Sequence, residues 1–201
     1  CTQLTAIDTS YLSNLIEIRE SAFENCTNAT ILQTSDNVKT IGNRAFANCE
    51  NISNTINLSA SNIEIMGEYA FENCQSLTEI LFPTKLKVIE KYTFKGCTSL
   101  PEVELLNTII EIKEGAFEDC TSLIKINIGE LNLTEFSDRL FYNCTSLTKE
   151  SFDFPTSLQT IGVSTFQKCI KLNELQMPLS IVEIDTSAFE DCTSLIKINI
   201  G

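Results

Sequence analysis

Polar and apolar positions along the chain recur in a fixed frame: a small residue, Phe, two residues, Cys, two residues, then an aliphatic. Ala45-Phe46-Ala47-Asn48-Cys49-Glu50-Asn51-Ile52 is one copy, and the frame returns at Phe23/Cys26, Phe71/Cys74, Phe94/Cys97, Phe117/Cys120, Phe141/Cys144, Phe166/Cys169 and Phe189/Cys192. The eight copies lie 23 to 25 residues apart. A period of that length marks a solenoid, in which a single coil cannot bury its own apolar side and stacking of coils makes the core.

The coil beginning at Cys74 divides into three parts. Leu77-Thr78-Glu79-Ile80-Leu81-Phe82 alternates, with Ile80 and Phe82 on one side and Glu79 and Leu81 on the other, and Pro83 follows. That is the period of a strand. The inward pairs in other coils are Val103/Leu105, Ile126/Ile128, Leu175/Met177 and Ile198/Ile200. Stacking is expected to join these strands into one parallel sheet. The second part is an aliphatic step, Leu86 to Ile89, repeated as Leu15/Ile18, Val38/Ile41, Ile63/Met66, Ile109/Ile112, Leu133/Phe136, Leu158/Ile161 and Ile181/Ile184. Its second member always stands five residues before the frame Phe, which implies a fixed geometry on this side of the coil.

The third part is the frame, read as a single helical or 3-10 turn. Before Cys come Asn25, Asn48, Asn73, Gly96, Asp119, Asn143, Lys168 and Asp191. Asn, Asp and Gly accept the left-handed conformation that ends a helical turn, so Lys168 is where strain or a different turn is expected. The coil from Cys144 has two extra residues, which places Phe152 and Phe154 inward and Glu150 in a bulge; the coil from Cys49 has two extra around Ile56-Leu58.

The nine cysteines change the picture less than their number suggests. One falls in each coil at constant phase and none forms a C-x-x-C pair, so each is read as a small buried hydrophobe. Stacked thiols pointing the same way rarely reach disulfide torsion. A ladder does not gather four ligands around zinc, and the chain has no His. The formal charge of −13 disfavours nucleic acid as a partner, because phosphate neutralisation needs clustered Lys and Arg. No run of 18 apolar residues is present, so no membrane-spanning helix is expected. Repeats run from end to end as one array over residues 1–201, opening and closing within a coil. Solenoids need capping units, so the expectation is a piece of a longer protein. AFEDCTSLIKINIG occurs at 116–129 and again at 188–201, an offset of 72 residues or three coils, which points to internal duplication.

Cys-Thr-Ser-Leu-x-x-Ile-x-Ile followed by Leu-x-x-Ile-Gly-x-x-x-Phe-x-x-Cys resembles the BspA-like class of leucine-rich repeats. The coil from Cys144 to Cys169 carries it as CTSL, FPTSLQTIG and STFQKC. The resemblance covers essentially the whole chain. It implies an α/β repeat solenoid, an arc with a parallel sheet on its concave side and short helical or 3-10 turns. It also implies a cell-surface or secreted protein of the kind found in bacteria and parasitic protists, some of which adhere to host proteins or to other cells. Two features of the pattern are sparse: the Gly after the step occurs only at Gly42, Gly67 and Gly162, and the Pro after the strand only at Pro83, Pro155 and Pro178.

Candidate chemistry is thin. Without His, Ser-His-Asp and Cys-His arrangements are excluded, though Ser-Lys types are not. Buried phase makes the thiols poor nucleophiles. No phosphate-binding glycine loop is present, and no cofactor is expected. Binding is better placed. Outward strand positions on the concave sheet are Glu79, Leu81, Glu102, Glu104, Lys125, Asn127, Lys149, Glu174 and Gln176, followed by Lys197 and Asn199. The expected function is a non-catalytic binding or adhesion module for a protein partner, host or extracellular-matrix protein included, or for a glycan. The alternatives are a structural array that self-associates end to end and an intracellular scaffold. Six N-glycosylation sequons stand at Asn25, Asn28, Asn51, Asn57, Asn132 and Asn143.

Overall fold

The computed structural model describes residues 1–53 and 55–201. The chain winds into a parallel β-solenoid of about eight turns, most of them supplying two short strands. The first ladder contains Ala6–Asp8, Ile31–Gln33, Ile56–Asn57, Ile80–Leu81, Glu102–Val103, Lys125–Ile126, Glu174–Met177 and Lys197–Ile200. The second is built on the aliphatic step, from Glu17–Ile18 to Glu183–Ile184. Apolar alternation decides which side chains go in: Ile80, Phe82, Val103, Leu105, Ile126, Ile128, Leu175 and Met177 are all buried. Ile198 and Ile200, in the last described turn, are the exception at 40% and 60% exposed.

The expected single sheet is instead a series of pairs. First-ladder strands pair as Ala6–Asp8 with Ile31–Gln33, Ile56–Asn57 with Ile80–Leu81, Glu102–Val103 with Lys125–Ile126, and Glu174–Met177 with Lys197–Ile200. One interruption has a covalent cause. The fourth residue after Cys donates its N–H to its counterpart one coil back: Thr30 to Thr5 at 2.9 Å, Ile124 to Pro101 at 2.8 Å and Ile196 to Asn173 at 2.9 Å. Pro101 holds this position in its own coil and has no N–H to give to Thr78. Pairing therefore stops between Ile80–Leu81 and Glu102–Val103. Another interruption is the coil with two extra residues, from Cys144. There Ser151 N–H bonds to Thr148 O at 3.1 Å and Thr148 N–H to Ser151 Oγ at 2.8 Å, which turns the chain at Lys149-Glu150. Phe152 and Phe154 do point inward, stacking on Phe166 at 5.6 Å and on Phe136 at 5.7 Å, but they form no strand.

The frame is a stack of turns rather than a run of helical ones. Among the described residues the one 3-10 helix is Ile128–Glu130, which follows a first-ladder strand and lies outside the frame. The hydrogen bonds explain why. Arg44, Phe46 and Asn48 donate N–H to Glu68, Ala70 and Glu72 of the next coil, at 2.8, 2.9 and 2.7 Å. Ala45, Ala47 and Cys49 instead close i−3 turns onto Gly42, Arg44 and Phe46, at 3.2, 3.0 and 3.2 Å. Every second donor thus runs along the solenoid axis, which a helix forbids. Left-handed residues produce this alternation. The residue before Cys is left-handed throughout, including Lys168 at φ 64°. Lys168 makes the same turn as its counterparts, without the conformational ease of Asn or Gly, and its Nζ donates to Tyr142 Oη at 2.7 Å. A second left-handed position stands two residues before each Phe, at Ser21, Arg44, Tyr69, Tyr92, Gly115, Arg139, Ser164 and Ser187.

The core is a spine of stacked rings and thiols. Phe46, Phe71, Phe94 and Phe117 stack face to face at 5.3, 5.7 and 5.7 Å, and Phe166 carries Phe189 at 5.4 Å. The cysteines are more than small hydrophobes. Each thiol from Cys49 to Cys192 donates to the Phe carbonyl one coil back, at 3.2, 3.4, 3.3, 3.2, 3.1, 3.1 and 3.0 Å in order. That carbonyl also accepts from its own coil; Phe94 O takes Cys97 N–H at 3.1 Å and Cys120 Sγ at 3.2 Å. Cysteine satisfies the volume limit and supplies a weak donor to the second lone pair. All nine are free thiols and only Cys1 is exposed. Burial pushes Cys49 up to about 12 and Cys192 up to about 11, and pushes Cys74, Cys97 and Cys144 well above the ordinary thiol value. A thiol-specific chromogenic reagent at neutral pH should therefore titrate one thiol in the native chain and nine in denaturant. Rapid reaction of several thiols without unfolding would show that the coils open readily.

Candidate binding face

The outward positions of the first ladder form two rows, because alternate residues of a strand share a face. Thr55 Oγ1 donates to Glu79 Oε2 at 2.5 Å, Glu102 faces Lys125, and Glu174 faces Lys197 in one row. Asn57 faces Leu81, and Gln176 faces Asn199, in the other. The two interruptions just described each coincide with a depression. The first, of about 580 Å³, is lined by six of the nine sequence-predicted residues, Glu79, Leu81, Glu102, Glu104, Lys125 and Asn127, together with Pro101 and Glu130. The second, of about 320 Å³, gathers the other three, Lys149, Glu174 and Gln176.

These residues are not equally available. Both polar atoms of the Asn127 amide are spent on the neighbouring strand: Nδ2 donates to Leu105 O at 2.8 Å and Oδ1 accepts from Leu105 N–H at 2.7 Å. The side chain stands in for a missing rung of backbone pairing, so Asn127 is a structural member of the face. Gln176 Nε2 donates to Gly201 O at 2.7 Å. Lys149 lies on the turn rather than on a strand, 3.9 Å from both Glu150 and Glu174. Glu102 and Glu104 are exposed and, among the described residues, carry no ion pair. Leu81 is 36% exposed beside them. The first depression thus combines four carboxylates with the single cation of Lys125, a surface suited to a cationic group flanked by an aliphatic one. No nucleophile is set against a base here; the carboxylates stand on an open sheet where water reaches them.

Sequence reasoning missed two features of the surface. Phe152 and Phe154 line the second depression as well as facing the core, so the face does have an aromatic component. Its signal was the two-residue insertion, which lifts both rings from the regular strand. The other feature is a charged seam along the frame. Glu118, only 3% exposed, is held by Arg139 Nε at 2.7 Å and Lys95 Nζ at 3.0 Å. Arg44 joins Glu24 at 2.8 Å to Glu72 at 3.1 Å. Tyr69 and Tyr92 stack at 4.9 Å, Tyr92 Oη donates to Glu114, and the Arg139 guanidinium lies 3.9 Å over the Tyr142 ring. These groups satisfy one another across six successive frames and form a brace rather than an open site. The pattern was present in outline, as Glu24, Glu72 and Glu118 each follow a frame Phe.

Among the described residues, no helix is long and apolar enough to cross a membrane. No curated protein matches the chain by sequence. Among solved structures, the T. pallidum leucine-rich repeat protein TpLRR is similar at 28% identity and TM-score 0.62, over 78% of this chain and 71% of that one. The pneumococcal vaccine antigen PcpA shares the fold at 17% identity and TM-score 0.63, over 94% of this chain and 60% of that one. A leucine-rich cell surface protein of Faecalibacterium prausnitzii A2-165 shares it at 19% identity and TM-score 0.56, over 92% and 69%. A repeat solenoid of this kind is typically a non-catalytic scaffold for protein interaction. Six copies of the BspA-type leucine-rich repeat region match residues 1–94 and 64–196, and the chain belongs to that family.

Proposed function

We propose that this chain is the binding array of a cell-surface or secreted protein, without catalytic activity, and that it engages its partner through the outward face of the first ladder. The reading is supported above all by the first depression, where Glu79, Glu102 and Glu104 surround exposed Leu81 on an otherwise regular surface. The fold is shared with a leucine-rich cell surface protein, which supports the location. A protein partner presenting Lys or Arg around one aliphatic side chain matches the acidic character of the first depression, where four carboxylates meet one Lys. The braced seam along the frame has its charges already paired, so it offers less to a newcomer.

The test is adhesion of the purified chain to extracellular-matrix and host-cell surface preparations, compared with the Glu79→Gln/Glu102→Gln/Glu104→Gln triple variant. Binding should weaken by at least about tenfold in the variant, as expected when several rim and centre charges are lost together, and should weaken with added salt. No adhesion by the parent chain, or equal adhesion by the variant at all salt concentrations, would remove the first ladder from the binding role.

A further inference from the structure

The six sequons are equivalent in sequence and are sorted by the fold. A glycan on Nδ2 leaves that amide one N–H and adds a bulky sugar, so the folded chain accommodates it only where the amide is exposed and Nδ2 is not committed to a neighbouring coil. Three sequons have that nitrogen engaged. Asn28 Nδ2 donates to Thr2 O at 2.5 Å, Asn51 Nδ2 to Thr27 O at 2.7 Å, and Asn143 Nδ2 to Asp119 Oδ1 at 2.8 Å. Their acceptor hydroxyls are drawn in too, Thr30 Oγ1 to Thr5 O at 3.4 Å and Thr145 Oγ1 to Thr121 O at 3.3 Å. Asn25 is locked in the left-handed region at φ 60° before buried Cys26, and it accepts from Asn48 Nδ2 at 2.9 Å within the frame ladder.

Asn57 and Asn132 differ. Asn57 is exposed, and its Oδ1 accepts from both Ser59 N–H at 3.1 Å and Ser59 Oγ at 2.8 Å. The sequon hydroxyl therefore already meets the Asn side chain, and Nδ2 is left facing outward with no hydrogen bond among the described residues. Asn132 is exposed in the turn between the two ladders, as is Thr134, with Leu133 between them buried. Its counterparts one residue before the aliphatic step, Asn37 and Asn62, bond the preceding coil through Nδ2 at 2.9 and 3.0 Å; Asn132 makes no such bond.

We propose that Asn57 and Asn132 are N-glycan acceptor sites and that the other four sequons stay bare in the folded protein. In the transfer, Asn Nδ2 attacks the anomeric carbon of a lipid-linked oligosaccharide. The N–C bond forms, the bond from that carbon to the diphosphate oxygen breaks, the polyprenyl diphosphate leaves, and Nδ2 gives one proton to the base of the transferase. A glycan on Asn57 stands beside Leu81, its partner in register, on the first ladder's outer face, so an occupied Asn57 restricts how a partner approaches Leu81. A glycan on Asn132 projects from the turn, clear of that face.

The chain should be secreted from a eukaryotic cell line behind a generic signal peptide. Its folded, soluble fraction is then deglycosylated enzymatically, which converts each occupied Asn to Asp, and read by peptide mass spectrometry. Occupancy at Asn57 and Asn132 with Asn25, Asn28, Asn51 and Asn143 bare is expected. N57Q and N132Q should each remove one glycan-sized step in electrophoretic mobility, and Ser59→Ala and Thr134→Ala, which keep both amides, should remove the same steps. If secretion yields no folded protein, unglycosylated chain from bacteria is treated with a soluble N-glycosyltransferase and a nucleotide-activated sugar, and the same ranking is expected. A bare Asn57 or Asn132, or occupancy at any of the other four in folded chain, overturns the assignment.

Discussion

Replacing Phe94 by alanine is expected to lower the unfolding free energy by about 3–5 kcal/mol, the usual cost of emptying a buried aromatic site. The ring is fully buried and has neighbours on three sides. Phe71 and Phe117 stack on its two faces at 5.7 Å each, and Phe82 meets its edge at 5.7 Å and 83°. A globular core could close over part of such a void by shifting a helix. A solenoid has less freedom, because each coil is held to the next by backbone hydrogen bonds along the frame, including Phe94 N–H to Ala116 O at 2.9 Å. Stability in such an array is a sum of coil and interface terms, and the substitution damages two interfaces at once. Phe189→Ala serves as the internal control: that ring is half-buried and, among the described residues, stacks on Phe166 only, so its loss should cost distinctly less. Urea titration of both variants checks the pair. A loss below about 1 kcal/mol for Phe94→Ala would mean that the spine of rings does not carry the fold.

How far the fold was legible follows from which constraints are local. The number and phase of the coils could be read because Phe and Cys mark every turn, and burial of Ile80, Phe82, Val103 and Leu105 follows from period-2 alternation alone. The left-handed residue before Cys was legible where Asn, Asp or Gly occupies it. Its companion two residues before Phe was not, because Arg44, Tyr69, Tyr92 and Arg139 have no such preference. The strain there is offset by inter-coil bonds such as Arg44 N–H to Glu68 O, and those exist only once coils are stacked. The same reason hid the roles of Asn127 and of the thiols. A side chain that completes a neighbouring strand, or a thiol that donates one coil back, is visible only across a separation of more than twenty residues. Pro101 is the instructive case. Its lack of an N–H was plain in the sequence, and its consequence, a break in the ladder with a depression over it, needed the register to be known.

The seam built on Glu118 should govern behaviour in acid. Burial alone would raise this carboxyl, but hydrogen bonds from Arg139 and Lys95 outweigh burial and hold it below the ordinary carboxylate value of 4.5. A depressed folded-state value means that the unfolded chain takes up the proton first. The stabilisation is therefore complete above the unfolded value and is lost as pH falls through the lower folded value. Glu118→Ala should cost about 2–3 kcal/mol near neutral pH, less than the roughly 3–5 kcal/mol for breaking a wholly buried pair. The reason for the lower figure is geometric: the Arg139 and Lys95 side chains, 35% and 31% exposed, can turn to water once the carboxylate is gone. Glu118→Gln separates charge from shape, since it keeps an acceptor for Arg139 and discards the titration. Its deficit relative to the parent chain should be full at neutral pH and shrink toward zero as pH falls through the lowered folded-state value, where Glu118 itself becomes neutral. Denaturant titrations of the parent and Glu118→Gln chains across that range decide the matter. A deficit that does not change with pH would mean that the carboxylate acts only by filling space, and that the charged seam does not brace the coils.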